Sequence, residues 1–278
     1  MPDRRLRRLT PQFVERIWGV DSLAPYFDDC AGKRIGEVWF QTDPPLSLLT
    51  KFIFTSERLS VQVHPNDGQA RERGLQNGKT EMWHMLHAEA GSNVALGFRE
   101  TLELDAMAAA AKTGEIEQLL DWVPVETGDS IFTPAGTVHA LGAGLVVVEV
   151  QQHSDTTYRL WDYGRGRELH LDDGLAVSDL GPARFRPLKR APLKDGAARR
   201  LAACDYFVTE EIATARDLLL PAATGAYRLL IILEGTGRID GQPYRPGEVW
   251  LLEEGTDECW LKPEAQSRFL RTGPPDTA

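Results

Sequence analysis

Leu59-Ser60-Val61-Gln62-Val63-His64-Pro65 alternates apolar and polar side chains with a period of two, the pattern of a strand with one polar face. In an extended chain Ser60, Gln62 and His64 share one face, and Leu59, Val61 and Val63 share the other. Pro65-Asn66-Asp67-Gly68 then ends the strand as a turn. A row of Ser, Gln and His turned inward demands partners, because a buried polar group without one is costly. A metal ion is one such partner, and it directs attention to N and O ligands elsewhere in the chain.

Upstream, Ile35 to Phe40 and Leu48 to Phe54 read as strands separated by Pro44-Pro45. Lys51 stands inside the second apolar run, where it could reach solvent along its own stem or meet a ligand. Residues 11–30 read as a short helix and a loop. Trp18 there is either core packing or the rim of a pocket. Downstream, Gly78-Lys79-Thr80-Glu81 leads into Met82-Trp83-His84-Met85-Leu86. On a helix Glu81, His84 and His87 would share a face; on a strand Glu81, Trp83 and Met85 would. The short run before Gly91 favours the strand, which counts against His84 and His87 as ligands.

The Ala-rich segment from Leu102 to Leu120 is expected to be helical and interrupted near Thr113-Gly114, an insertion on a mostly β unit. His139 falls in a further strand. Leu145 to Val150 is dense in Val and reads as a strand buried on both faces. Glu149 interrupts it and needs a metal, a cation or a catalytic duty. Residues 171–180 read as a short helix. Residues 181–200, rich in Pro, Lys, Arg and Ala, read as a connection. It separates expected domains at 1–185 and 186–278. The second is a smaller all-β unit with no His and no clustered ligand candidates, and is expected to bind no metal.

The chain has 278 residues and a formal charge of -10, which gives no global case for nucleic acid or an acidic membrane surface. Three scattered Cys (Cys30, Cys204, Cys259) point to free thiols in a reducing compartment. The basic start, MPDRRLRRLT, lacks an apolar core for a secretory signal, and no run of 18 apolar residues is present. The expected location is the cytoplasm, without a membrane partner.

Gln62, His64, Glu81 and His139 make an N/O donor set suited to zinc among the divalent first-row metals. The competing reading is a set of polar side chains bonded to one another. Lys79 and Arg159 could hold a phosphate, with Ser60 adding a hydroxyl. A Lewis acid beside an anion clamp suits a small phosphorylated substrate.

Four segments carry a resemblance. They are Ser60-Val61-Gln62-Val63-His64-Pro65, Gly78-Lys79-Thr80-Glu81-Met82-Trp83, Pro134-Ala135-Gly136-Thr137-Val138-His139-Ala140, and Glu149-Val150-Gln151-Gln152 through Ser154-Asp155-Thr156-Thr157-Tyr158-Arg159. In this order they resemble the type I mannose-6-phosphate isomerases, in particular the short bacterial form, over residues 11–180. The C-terminal unit resembles the family's second cupin-like domain more loosely. The resemblance implies an all-β protein of two cupin-like jelly-roll domains with small helical insertions, the main one near residues 101–121. It implies one zinc ion per chain on Gln62, His64, Glu81 and His139, with Lys79 and Arg159 in the active site. The implied reaction interconverts mannose 6-phosphate and fructose 6-phosphate through a cis-enediol, the metal polarising the sugar oxygens while a base moves a proton from C2 to C1.

Glu149 is the leading candidate for that base. Ser60 and Trp18 stand as substrate-side residues with Lys79 and Arg159, and Glu37 as a further lining residue. Asp155 either orients Arg159 or caps a turn. One departure is Gly78, where longer relatives carry a His before the lysine; any task of that His is not performed by a side chain here. An isomerase of another sugar phosphate, a non-catalytic sugar-binding cupin and a cupin oxygenase are the alternatives. Gln62 argues against the last, since many iron sites have a further imidazole there. Monomer and homodimer both stay open.

Overall fold

The computed structural model describes residues 5–28, 30 and 32–275; the outer ends of the two expected domains, 1–4 and 276–278, lie outside them. The stretch quoted above contributes the strand Val61–Val63 to a five-stranded antiparallel sheet, between Tyr158–Trp161 and His139–Leu141. The strand is shorter than the alternation suggests. Leu59 bonds to Leu141 outside the ladder and packs with Trp18, Ile53 and Trp83, whereas Val61 and Val63 lie in the cluster on the opposite face of the sheet. Leu59 and the two valines therefore do not share a face.

That opposite face is covered by the helices Leu104–Thr113, Ile116–Leu119 and Leu171–Val177, through Met107, Ala110, Ala111, Ile116 and Val177. The helical insertion breaks at Gly114, whose φ of 87° is left-handed and whose Cβ would lie 2.5 Å from Trp161. Only glycine meets both conditions without strain.

The inner face of the five-stranded sheet meets a six-stranded antiparallel sheet, ordered Pro11–Val20, Ile35–Phe40, Leu48–Thr55, Leu145–Gln152, Glu81–Ala88 and Ser130–Thr133. Pro11–Val20 corrects the expectation of a helix. It is an edge strand on which only Trp18 and Gly19 are buried, so most of its side chains see water and no clean period survives. Leu145–Gln152 is buried on both faces because the far side of this sheet packs on a second six-stranded sheet. Phe52, Phe54, Val148 and Val150 there meet Leu229, Ile231, Val249, Leu251 and Leu270.

The second six-stranded sheet runs Leu6–Arg8, Val249–Leu252, Arg228–Glu234, Ser267–Gly273, Val208–Thr214 and Ala198–Ala203. Its other face packs on four short strands over a core of Leu230, Ile232, Trp250 and Phe269. The chain's first described strand thus pairs with Val249–Leu252, in the sheet built otherwise from the C-terminal third. The architecture is mostly antiparallel β with a few short helices. Among the described residues no helix is long and apolar enough to cross a membrane.

Candidate active site

Strand register brings the distant motifs together. In the five-stranded sheet Gln62 is the cross-strand neighbour of His139 on one side and Arg159 on the other. In the six-stranded sheet Gln151, Glu81 and Thr133 form one row across three strands. His64 follows the strand Val61–Val63 and completes a buried group with Glu81 and His139, whose ligand atoms lie within 4.8 Å of one another.

The chemistry of this group calls for a cation. His64 Nδ1 lies 2.9 Å from the Thr156 carbonyl, and His139 Nδ1 lies 2.9 Å from the Thr137 carbonyl. A ring nitrogen facing a carbonyl must carry the proton, so both Nε2 atoms present lone pairs. Burial holds both imidazoles neutral, pushing His139 down to about 4 and His64 well below its ordinary value. Glu81 Oε1 is 3.3 Å from His139 Nε2, and Oε2 is 3.6 Å from His64 Nε2. Lys79 Nζ lies 2.8 Å from Glu81 Oε2 and 3.1 Å from His64 Nε2, while Glu81 Oε1 has no hydrogen-bond partner. Two imidazole lone pairs and a carboxylate converging in a buried space, each imidazole steadied from behind, fit a zinc ion. Gln62 stands beside them with its Nε2 3.3 Å from His139 Nε2 and its Oε1 3.4 Å from Ser60 Oγ. A ligand role takes the oxygen, so the amide has to turn over, leaving its NH2 to donate to Ser60.

Next to the metal group runs a second row, Trp39, Lys51, Glu149 and Trp83, cross-strand neighbours on four adjacent strands. Trp83 Nε1 donates to Glu149 Oε2 at 3.0 Å. Glu149 Oε1 faces Lys51 Nζ at 3.6 Å and Lys79 Nζ at 3.9 Å. Lys51 also sits over the Trp39 ring, 4.4 Å from its centre. Burial alone would raise Glu149, but the Lys79 and Lys51 ammonium groups outweigh it and hold the carboxylate ionised. Burial alone would lower Lys79, and the Glu149 and Glu81 carboxylates reverse that, keeping it protonated. Glu81 is pushed up to about 7, burial with the Glu149 carboxylate outweighing Lys79.

Lys51, Lys79, Trp83 and Glu149 line a cavity of about 460 Å³ between the two sheets of the N-terminal unit; His64, Glu81 and His139 lie beside it and are not part of its lining. Gln62, Lys79, Glu149, Ser60, Trp18 and Arg159 all line it, and Glu37 does as well. Trp18 is buried and belongs also to the core, so both readings of it hold. Arg159 donates from Nη1 to the Glu168 carbonyl at 2.6 Å and leaves its buried Nε without a partner. Asp155 lines the cavity, but its side chain makes no described contact with Arg159. His84 and His87 do not line it; His84 faces away and bonds Ser130 Oγ at 2.9 Å.

Lys51, for which the sequence leaves solvent and a ligand both open, lines the cavity, and so does Arg167, which the sequence reading does not single out and which is held by Asp162. The signal for Lys51 was a lone cation and a lone anion in two adjacent apolar strands. Gly78 has a steric reason. A Cβ there would lie 2.5 to 2.7 Å from the backbone of Pro65, Asn66 and Asp67. No side chain fits, and the close approach lets Lys79 N bond the Pro65 carbonyl at 2.9 Å, drawing Lys79 against His64.

No family model matches the chain. Among curated proteins, the mannose-6-phosphate isomerase ManA of Bacillus subtilis (strain 168) is 31% identical over 303 aligned residues, covering 92% of this chain and 95% of that protein. A mannose-6-phosphate isomerase of Streptococcus mutans is 35% identical over 201 residues, 69% of this chain and 62% of that one. Among solved structures, the mannose 6-phosphate isomerase from Bacillus subtilis matches with a TM-score of 0.82 over 95% of this chain and 98% of the other, at 22% identity, a likeness of fold.

Proposed function

The chain belongs to the type I mannose-6-phosphate isomerase family, and on that premise we propose that it interconverts mannose 6-phosphate and fructose 6-phosphate with one zinc ion per chain. The observation that carries the reading is the buried His64–Glu81–His139 group set beside the cavity that Lys51, Glu149 and Trp83 line. Bound by those three residues and Gln62, zinc would supply a Lewis acid that polarises the C1 and C2 oxygens of the open-chain sugar.

The residues divide the remaining work by charge. Glu149, ionised and buried, accepts the C2 proton at Oε1 and returns it to C1 on the same face of the cis-enediol. Lys79 is held protonated, so it is no base; it stabilises negative charge growing on the sugar oxygens. Lys51 does the same from the other side of Glu149. As the ammonium groups turn toward those oxygens, Glu149 loses stabilisation and becomes a stronger base. Arg159 and Arg167 at the cavity wall suit the phosphate, and the unpartnered Nε of Arg159 is a donor for it. Ser60 and Trp18 complete the substrate side.

The two units, 1–185 and 186–278 except that Leu6–Arg8 completes a sheet of the second, are read as two cupin-like jelly rolls, the first holding the metal. Turnover of mannose 6-phosphate by metal-replete protein, compared with other aldose phosphates, tests the substrate. Mannose 6-phosphate should be the best of them; an inert response to it beside turnover of another would contradict the assignment.

A further inference from the structure

The strand Ile35–Phe40 carries a second carboxylate set against an indole. Glu37 and Trp39 lie two apart and share a face, and register places Trp39 opposite Lys51. Trp39 Nε1 donates to Glu37 Oε2 at 2.7 Å, and Arg16 Nη2 donates to the same oxygen at 2.8 Å. Arg16 reaches it from the edge strand Pro11–Val20 by lying across Gly36. A Cβ on Gly36 would sit 2.5 Å from the Arg16 Cβ and 2.7 Å from the Trp18 ring. The bare glycine thus admits Arg16, Arg16 anchors Glu37, and Glu37 holds the Trp39 indole.

Lys51 is the group on which these contacts end. Its Nζ lies 4.4 Å from the centre of the Trp39 ring and 3.6 Å from Glu149 Oε1, and its side chain is 5% exposed. Lys79, in the same site, comes to 2.8 Å from Glu81 Oε2. A buried ammonium standing 3.6 Å from a carboxylate is held back by something, because closing to hydrogen-bond distance strengthens the pair. The Trp39 face supplies the competing attraction. Donating the indole N–H to a carboxylate makes the ring face more negative and its pull on a cation stronger. Glu37 also acts on the site as a charge: it is one of the carboxylates that keep Lys79 protonated.

We propose that Glu37 is a positioning residue for the isomerisation: acting through the Trp39 indole, it stations the Lys51 ammonium off Glu149, ready to meet the sugar oxygens. This rests on the isomerase reading, in which Glu149 is the base and Lys51 answers the charge that grows on the sugar. Without the Glu37 charge, Lys51 closes on Glu149 and stabilises the carboxylate before reaction, so the barrier rises. The loss falls on kcat, since the reacting oxygens of the bound sugar carry no charge for Lys51 to meet until the proton moves.

Steady-state kinetics of the full, zinc-loaded chain with mannose 6-phosphate test this, beside metal content and a crystal structure. Glu37→Gln keeps an acceptor for the Trp39 N–H and removes the charge; Trp39→Phe keeps a ring and removes the N–H. Each should lower kcat about fivefold or more, with KM unchanged and zinc retained. The double variant should be no slower than the slower single one, and neither substitution should slow the Lys51→Met chain further. In crystals of Glu37→Gln, Lys51 should close from 3.6 Å to hydrogen-bond distance of Glu149. A merely structural Glu37 would cost zinc or raise KM, and would slow the Lys51→Met chain as well; that result, or full kcat in Glu37→Gln, would overturn the proposal. If Glu37→Gln does not fold, Trp39→Phe with and without Lys51→Met decides the matter by the same criteria. A wild type inert toward mannose 6-phosphate would contradict the isomerase reading and this proposal with it, whereas an active wild type with an unimpaired Glu37→Gln contradicts the proposal alone.

Discussion

Gln62 presents the wrong end of its amide to His139 for a metal ligand, and Ser60 waits on the other side to receive the NH2 when the amide turns. Gln62→Ala and Glu81→Ala should each lose zinc and turnover together, read as metal content by atomic absorption and rate in a coupled assay. Full zinc with normal activity in both variants would remove them from the ligand set. Glu149→Gln separates chemistry from metal: zinc should stay while turnover falls by roughly 10²–10⁴-fold, the usual worth of a positioned base. Unchanged turnover would exclude Glu149 as the essential base. The ligand candidates were legible one by one because Gln, His and Glu on apolar strands have no cheap reason to be there. Lys51 was not, since a long amphipathic side chain can leave an apolar strand for solvent. Only the register that sets it beside Glu149 and Trp39 decides the matter.

The strand Glu81–Ala88 has two faces with two duties. Glu81 and Trp83 face the site with Met85 in the core on the same side, and His84 points the other way, toward the second unit. There it meets Ser130, with Glu211, Arg268, Arg199 and Arg190 as its charged neighbours. Burial lowers His84 from 6.5 to about 4; Glu211 opposes this and the three arginines add to it. A depressed folded-state value contributes stability that is whole above the unfolded value and is lost as pH falls toward the folded one. Between pH 6.5 and about 4 the wild type should therefore lose about 3 kcal/mol more than His84→Asn, measured by urea denaturation at each pH. Parallel curves would show that His84 carries no such linkage.

The same strand shows what could be read at this scale. Both its faces are buried by different partners, so it does not alternate and only its shortness before Gly91 marks it as a strand; the helix break at Gly114 is legible because glycine alone tolerates that backbone. Pro11–Val20 hid because its side chains mostly see water, and Leu6–Arg8 hid because its partner lies more than two hundred residues away.

Across the whole molecule the two units share one apolar layer between their six-stranded sheets, so the strand that carries Glu149 is held on one face by the site and on the other by the second unit. That double burial excludes water behind Glu149 and Glu81, and a dry setting strengthens every charge in the site. It also explains why the Val-rich run could be read as buried on both faces while the identity of the covering layer could not. The most direct test of the central claim is a coupled isomerase assay with mannose 6-phosphate on the full chain, before chelation, after chelation, and after zinc is restored. The expected result is turnover that disappears on chelation and returns with zinc. No conversion at any stage, or turnover indifferent to metal removal, would contradict it.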